Sequence, residues 1–279
     1  MLNDKDFLAP PSGSVAERFE RRLAISVPSR NNARLETILE AANRDDELYA
    51  LLLAANVNSM ERLGMTDHGP VHVKIVMNIA LKLLRLLADR GVVPSISVNY
   101  GLDQRDAEVV VALAAMLHDV GMSIHRSDHE SFSLFIAHDK LRTLLSSVYD
   151  VPEATIVRSE ILHAIIAHRS GARPLTVEAG VVRIADALDM AKGRSRIPFE
   201  AGSVSIHSVS AAAVEEVLIE PGEVKPIRLV IKLSNSAGVF QVDQLFREKL
   251  RGSGLEAHME VHVAIEGETE QRLVRSFQL

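Results

Sequence analysis

The stretch Val109-Val110-Val111-Ala112-Leu113-Ala114-Ala115-Met116-Leu117-His118-Asp119-Val120-Gly121 decides how this chain is read. An unbroken apolar run leads straight into an imidazole and a carboxylate. With Asp103 as cap and Asp106 at the third position, the run reads as a helix from Asp103 to Leu117, and the pair falls at its end. Polar groups buried there are costly to desolvate unless something pairs with them. A bound cation is the most economical partner. Adjacent residues point apart on a continuous helix but can converge at a fraying end. The alternative is a capping or ion-paired His-Asp at a helix terminus.

Working outward, further candidate ligands sit in helix-like apolar contexts. His72 follows Thr66-Asp67-His68-Gly69-Pro70, a helix start with Pro70 in the first turn and Asp67 or Thr66 as cap. His68, four residues before His72, is an alternate or outer contact. His129 opens a helix after Asp128, with His125 as its understudy. His163 and His168 are five residues apart, about 140° around a helix, so one of them belongs outside the direct ligand set. Asp186 lies in Val181-Val182-Arg183-Ile184-Ala185-Asp186-Ala187-Leu188-Asp189, where a lone buried aspartate asks for a cation. Asp189, three residues on, is either its supporting partner or a plain surface charge.

Composition narrows the classes. The chain has 279 residues, 47% of them hydrophobic, enough for a sizeable core. A net charge of −6 gives no support to broad electrostatic binding of nucleic acid, and 4% aromatic residues without Trp leave few stacking platforms. The absence of cysteine excludes disulfides and thiolate ligands. No apolar stretch approaches a membrane span, and the N-terminus lacks signal-peptide order, so a cytoplasmic protein is expected.

The pattern predicts a mainly α protein: an all-helical bundle followed by a small α+β C-terminal unit. Helical spacing covers about 15–62, 71–89, 103–117, 128–147, 153–169 and 176–192. The expected division is a helical lead-in over 1–58, a metal-binding helical domain over 59–197, and an appendage over 198–279. In the appendage, Val217-Leu218-Ile219, Ile227–Leu233 and His258–Ile265 read as strands, and Gln241–Leu250 as a helix, a βαβ-like order. An open strand edge there would suit a homodimer.

The order His72, His118-Asp119, His129, His168, Asp186 resembles the HD-domain superfamily of metal-dependent phosphohydrolases. The resemblance covers about residues 60–195, and its most specific segments are Leu117-His118-Asp119-Val120-Gly121 and Ile184-Ala185-Asp186-Ala187-Leu188-Asp189. The extra histidines are similar to those of dinuclear members such as the HD-type dinucleoside tetraphosphatases. Asp128-His129-Glu130 and the Asp186 segment also look like the catalytic part of HD-type membrane-anchored ribonucleases, whose anchor and RNA-binding segment are not seen here. The resemblance implies that His72, His118, Asp119 and Asp186 hold one metal, and that Asp119 bridges to a second ion held by His129 and His168. His118 and Asp119 would form the catalytic pair.

The implied function is hydrolysis of a nucleotide or other phosphate ester through metal-activated water, with Mn, Fe, Ni, Co or Zn favoured by histidine-rich ligation and Mg as a further candidate. Substrate phosphate also needs cations, and Arg126, Arg169, Lys192 and Arg194 lie close in sequence to the ligands. The cluster Lys192-Gly193-Arg194-Ser195-Arg196 reads equally as a positive helix end that complements the macrodipole. A different class, a nucleotide-sensing or protein-binding regulator that keeps the pocket without turnover, is motivated by an appendage that the site does not obviously need.

Overall fold

A computed structural model of the chain describes residues 14, 17, 19, 24–190, 210–266 and 276–278. The centre is helix α5, Gln104–Leu117, buried at every residue from Asp106 to Leu117. Its start is a full capping box: the Asp103 carboxylate accepts from the Asp106 amide, and Asp106 returns the bond to the Asp103 amide. An apolar helix with no wet face has to be surrounded. The chain before it supplies α1 (Ala33–Arg44), α2 (Asp46–Asn56, running on into a π turn Val57–Arg62), α3 (Pro70–Asp89) and a short α4 (Ser95–Tyr100). After it come a 3-10 turn (Val120–Ser123), α6 (His129–Leu145), α7 (Val151–Ala167) and α8 (Val177–Leu188).

Helices α3, α7 and α8 pack directly on α5, while α6 packs on α7 and on the 3-10 turn. The charged pair inside this shell is matched: Arg85 Nε lies 2.7 Å from Glu108 Oε1, and the Asn32 amide donates to the other Glu108 oxygen. Helix α4 was not expected, because Pro94 reads as a stop. Pro94 instead starts α4, whose first amides, Ser95 and Ile96, donate to the Glu178 carboxylate of α8. Helix α8 ends at Leu188, short of the expected 192.

The C-terminal unit is a sheet in the order β1-β2-β3-β4: Val214–Pro221, Ile227–Leu233, Met259–Ile265 and Ser276–Gln278. Strands β2 and β3 are parallel and in register from Ile227↔Met259 to Leu233↔Ile265; the other two pairings are antiparallel. Both central strands bury alternate residues, so Ile227, Leu229, Ile231 and Leu233 share a face with Met259, Val261, Val263 and Ile265. The parallel pair needs a crossover. One helical run supplies it, Gly238–Phe240, a π-helical Gln241–Phe246 and Arg247–Leu250, together called α9.

This unit does not stand apart. Helix α9 packs on α8, β1 and β2 reach α3, and the buried apolar residues form one continuous cluster from Ile25 to Ile265. Gly180 on α8 permits the approach, since a Cβ there would sit 2.4 Å from the Ser253 carbonyl oxygen.

Candidate metal centre

Helix ends build the site. At the start of α3, Asn56 holds the Asp67 carboxylate, which accepts from the amides of Gly69 and His72 and so fixes the turn carrying His72. His118 ends α5 and Asp119 follows. The next turn is pinned by Ser133 of α6, whose hydroxyl accepts from the Gly121 amide and donates to the His118 carbonyl. Gly121 has to be glycine here: a Cβ would lie 2.1 Å from the His129 carbonyl oxygen and 2.5 Å from the Ser133 nitrogen. That close approach places His129, the first residue of α6, beside Asp119. His168 ends α7, and Asp186 sits in the last turn of α8.

Six side chains separated by more than a hundred positions therefore meet. His72 Nε2 lies 3.2 Å from His118 Nε2, 3.4 Å from Asp119 Oδ2 and 3.6 Å from Asp186 Oδ1. His118 Nε2 lies 3.3 Å from Asp119 Oδ2 and 3.7 Å from Asp186 Oδ1. The other oxygen, Asp119 Oδ1, lies 3.1 Å from His129 Nε2 and 3.6 Å from His168 Nε2. An ion about 2.1 Å from each donor puts tetrahedral donors about 3.4 Å apart and neighbouring octahedral donors about 3.0 Å apart. The residues fit such ions. Among the described residues, three groups of side chains have the spacing to hold a divalent metal: His72-His118-Asp119, His118-His168-Asp186 and Asp119-His129-His168.

The imidazoles are also oriented for it. His118 Nδ1 faces the Ala115 carbonyl at 2.8 Å, and His168 Nδ1 faces that of Ile165 at 2.5 Å. His72 Nδ1 faces Asp189 Oδ2 at 2.6 Å. His129 Nδ1 lies 2.9 Å from the Arg126 carbonyl. Each Nδ1–H donated outward leaves an Nε2 lone pair aimed at Asp119, the tautomer a metal requires. Asp189 is thus buried and paired with His72, neither the partner of Asp186 nor the surface charge that the sequence offered.

The electrostatics follow. Burial pulls the His118 imidazole down, but the Asp119 and Asp186 carboxylates outweigh it and raise it to about 10. Burial pushes the Asp119 and Asp186 carboxyls up; His118 and the surrounding donors overcome it, holding both well below the usual carboxylate range. His168 goes the other way, lowered by burial and by the neighbouring His118 and Lys249 cations against the pull of Asp119. Without metal, one proton between the acids sits where a cation's charge would.

A cavity of about 390 Å³ opens over this cluster, and its wall includes His68, Arg126, His129, His168 and Asp186. His68 is at the rim, its Nε2 4.0 Å from Asp119 Oδ2 and its Nδ1 on the Thr66 carbonyl. Arg126 lies on the cavity wall beside His129. Arg169 does not line the cavity: its guanidinium turns to Asp128, 3.1 Å away, at an exposed pair. His163 is outside the cluster, accepting from the Leu175 amide at 3.0 Å, and burial lowers its imidazole. His125 is exposed and accepts from the Ser127 amide. Lys192, Arg194 and Arg196 lie outside the described residues.

One cation was missed. Lys249, on α9, lines the cavity, with Nζ 3.6 Å from Asp186 Oδ2 and donating to the His168 carbonyl at 2.5 Å. Its distance along the chain from every ligand left no spacing signal to find it.

Comparison with known proteins agrees with this geometry. A family model described as the HD domain matches residues 71–191. An uncharacterized protein of Methanocaldococcus jannaschii is 40% identical over 225 residues, covering 81% of this chain and 87% of that protein. Ribonuclease Y of Thermoanaerobacter pseudethanolicus is 29% identical over 169 residues, covering 59% of this chain but only 30% of its own length. Among the described residues, no helix is long and apolar enough to cross a membrane.

Proposed function

The chain belongs to the HD-domain superfamily, and on that premise we propose that it is a metal-dependent phosphohydrolase acting on a nucleotide or another phosphate ester. One observation carries this reading: Asp119 turns one oxygen to His72 and His118 and the other to His129 and His168. In this reading His72, His118, Asp119 and Asp186 hold one divalent ion, and Asp119, His129 and His168 hold a second. Bound there, the ions would supply an activated water and neutralise charge on the transferring phosphoryl group. The protein's own groups do the rest. Asp189 and the carbonyls of Ala115 and Ile165 fix the imidazole tautomers. Arg126, beside His129 on the cavity wall, offers a forked donor to phosphate oxygens. The buried floor limits competing water. We take residues 59–197 as the unit that carries the ions.

The test is phosphate or nucleoside release by Mn²⁺-loaded protein from a panel of mono- and diesters, with Asp119→Ala as the control. Turnover lost in the variant supports the reading. Ligand-induced thermal stabilisation with no turnover of any ester would replace it with a sensing role. The likeness to Ribonuclease Y favours a diester among the substrates, so the panel includes a short RNA. Cleavage of that RNA in preference to mononucleotides would select that branch.

A further inference from the structure

The C-terminal unit is fastened to the metal centre more firmly than a tethered accessory would be. Arg183 of α8 is buried, and its Nη1 donates to the carbonyls of Ala172 at 2.6 Å and Arg169 at 3.0 Å, both in the loop that follows His168. Its Nε donates to the Lys249 carbonyl on α9 at 2.9 Å. One guanidinium thus joins the loop after a candidate ligand to the helix of the C-terminal unit. Ser170 of that loop also donates to Glu248 at 2.5 Å, and Lys249 donates to the His168 carbonyl itself. Three of these bonds, at Glu248 and Lys249 within one turn, fix how α9 faces the site.

What α9 presents there has two characters. Lys249 brings a positive charge to the edge of the acid cluster, beside Asp186. One turn away, Leu245 and Phe246 line the same cavity, with Met190 and Ala187 of the bundle side and the Gln241 amide nearby. The cavity therefore has an ionic end and an apolar end within about 390 Å³, a volume that suits one small ligand. The polar end alone would suffice for a bare phosphate. An apolar wall beyond it has a use only if the group esterified to that phosphate is partly apolar.

We propose that α9 is a wall of the substrate site: Lys249 binds a phosphoryl oxygen, and Leu245, backed by the buried Phe246, receives the organic group of a compact ester with a ring or similar apolar face. This rests on the phosphohydrolase reading for the phosphate, but its test does not use turnover. The full-length protein, saturated with Mn²⁺ and checked for metal content, is titrated calorimetrically with inorganic phosphate and with phenylphosphonate, which carries a ring and no cleavable ester. The wild type is expected to bind phenylphosphonate about 10-fold or more tighter than phosphate, as burial of a ring dictates. Lys249→Met is expected to weaken both probes about 10-fold or more, the effect of losing a charge-assisted bond, with Lys249→Arg restoring most of it. Leu245→Asn, on the half-exposed face of α9, is expected to remove the preference for the ring while leaving phosphate binding within about twofold.

Equal binding of the two probes by the wild type overturns the proposal, and so does Lys249→Met protein that binds both as the wild type does. If Lys249→Met does not fold, the Leu245→Asn arm decides alone. Protein that binds as expected but hydrolyses no ester sinks the phosphohydrolase reading and leaves this one standing; active protein with an unaltered Lys249→Met refutes this one only.

Discussion

Replacing Asp189 with alanine should weaken metal binding without touching a ligand. Its carboxylate lies 2.6 Å from His72 Nδ1, at a position where both side chains are buried. Removing it leaves a buried N–H without its charged acceptor and frees the ring to turn. A hydrogen bond to a charged group contributes about 1.5–3 kcal/mol, and loss of such a supporting contact at a metal site typically lowers affinity about 10–100-fold. The two figures agree, because about 1.4 kcal/mol corresponds to a factor of ten. Asp189→Asn keeps an acceptor of the same shape and loses only the charge, so its effect should fall between wild type and alanine. The assay is competition with a chromogenic chelator at fixed pH, read for Zn²⁺ or Mn²⁺. Asp139→Ala, an exposed acid on α6, controls for net charge. If Asp189→Ala binds metal within about threefold of the control, the claim that an outward bond sets the reactive nitrogen of His72 is wrong.

Three further outcomes follow from the geometry. Gly121→Ala places a methyl group against the His129 carbonyl and the Ser133 amide, so it should destabilise by about 1–3 kcal/mol or more and release the His129 side of the site; urea unfolding and metal stoichiometry read the two effects together. Arg183→Met strands the buried carbonyl of Ala167 and the partly buried ones of Arg169, Ala172 and Lys249, so a loss of about 1–3 kcal/mol is expected, with His168 ligation disturbed because the loop behind it loosens; unchanged stability would contradict the fastening role. In chelator-treated protein His118 is raised to about 10, above the ordinary value near 6.5, so the stability it contributes is complete below about pH 6.5 and is lost as pH rises through about 10. Urea midpoints of the metal-free protein should therefore fall over that range; a flat profile would mean that no proton replaces the ion.

The helical bundle was legible because its signals are local. The apolar run before His118, the box at Asp103 and Asp106, and Pro70 in the first turn of α3 each write an element boundary within a few residues. The alternation of β2 and β3 did the same for the sheet, and the βαβ order was read correctly. The histidines and acids of the centre were visible because charge in an apolar helix is conspicuous. Contacts between elements were not. Asp189 read equally as a surface charge until α3 and α8 were placed side by side. Arg169 follows His168 in sequence yet pairs with Asp128, while Lys249, far along the chain, arrives beside Asp186. Neighbourhood in sequence pointed to Arg126, which lines the cavity, but Lys249 reaches it through the packing of α9 against α8. The appendage looked dispensable for the same reason.

Anomalous diffraction from Mn²⁺-loaded crystals would show most directly whether six side chains brought together by five helix ends grip two cations through one shared carboxylate. Two peaks about 3.5–4 Å apart are expected on either side of Asp119, one facing His72, His118 and Asp186 and one facing His129 and His168. No peak within reach of Asp119, or a single peak that the Asp119→Ala protein retains at full height, would contradict this arrangement.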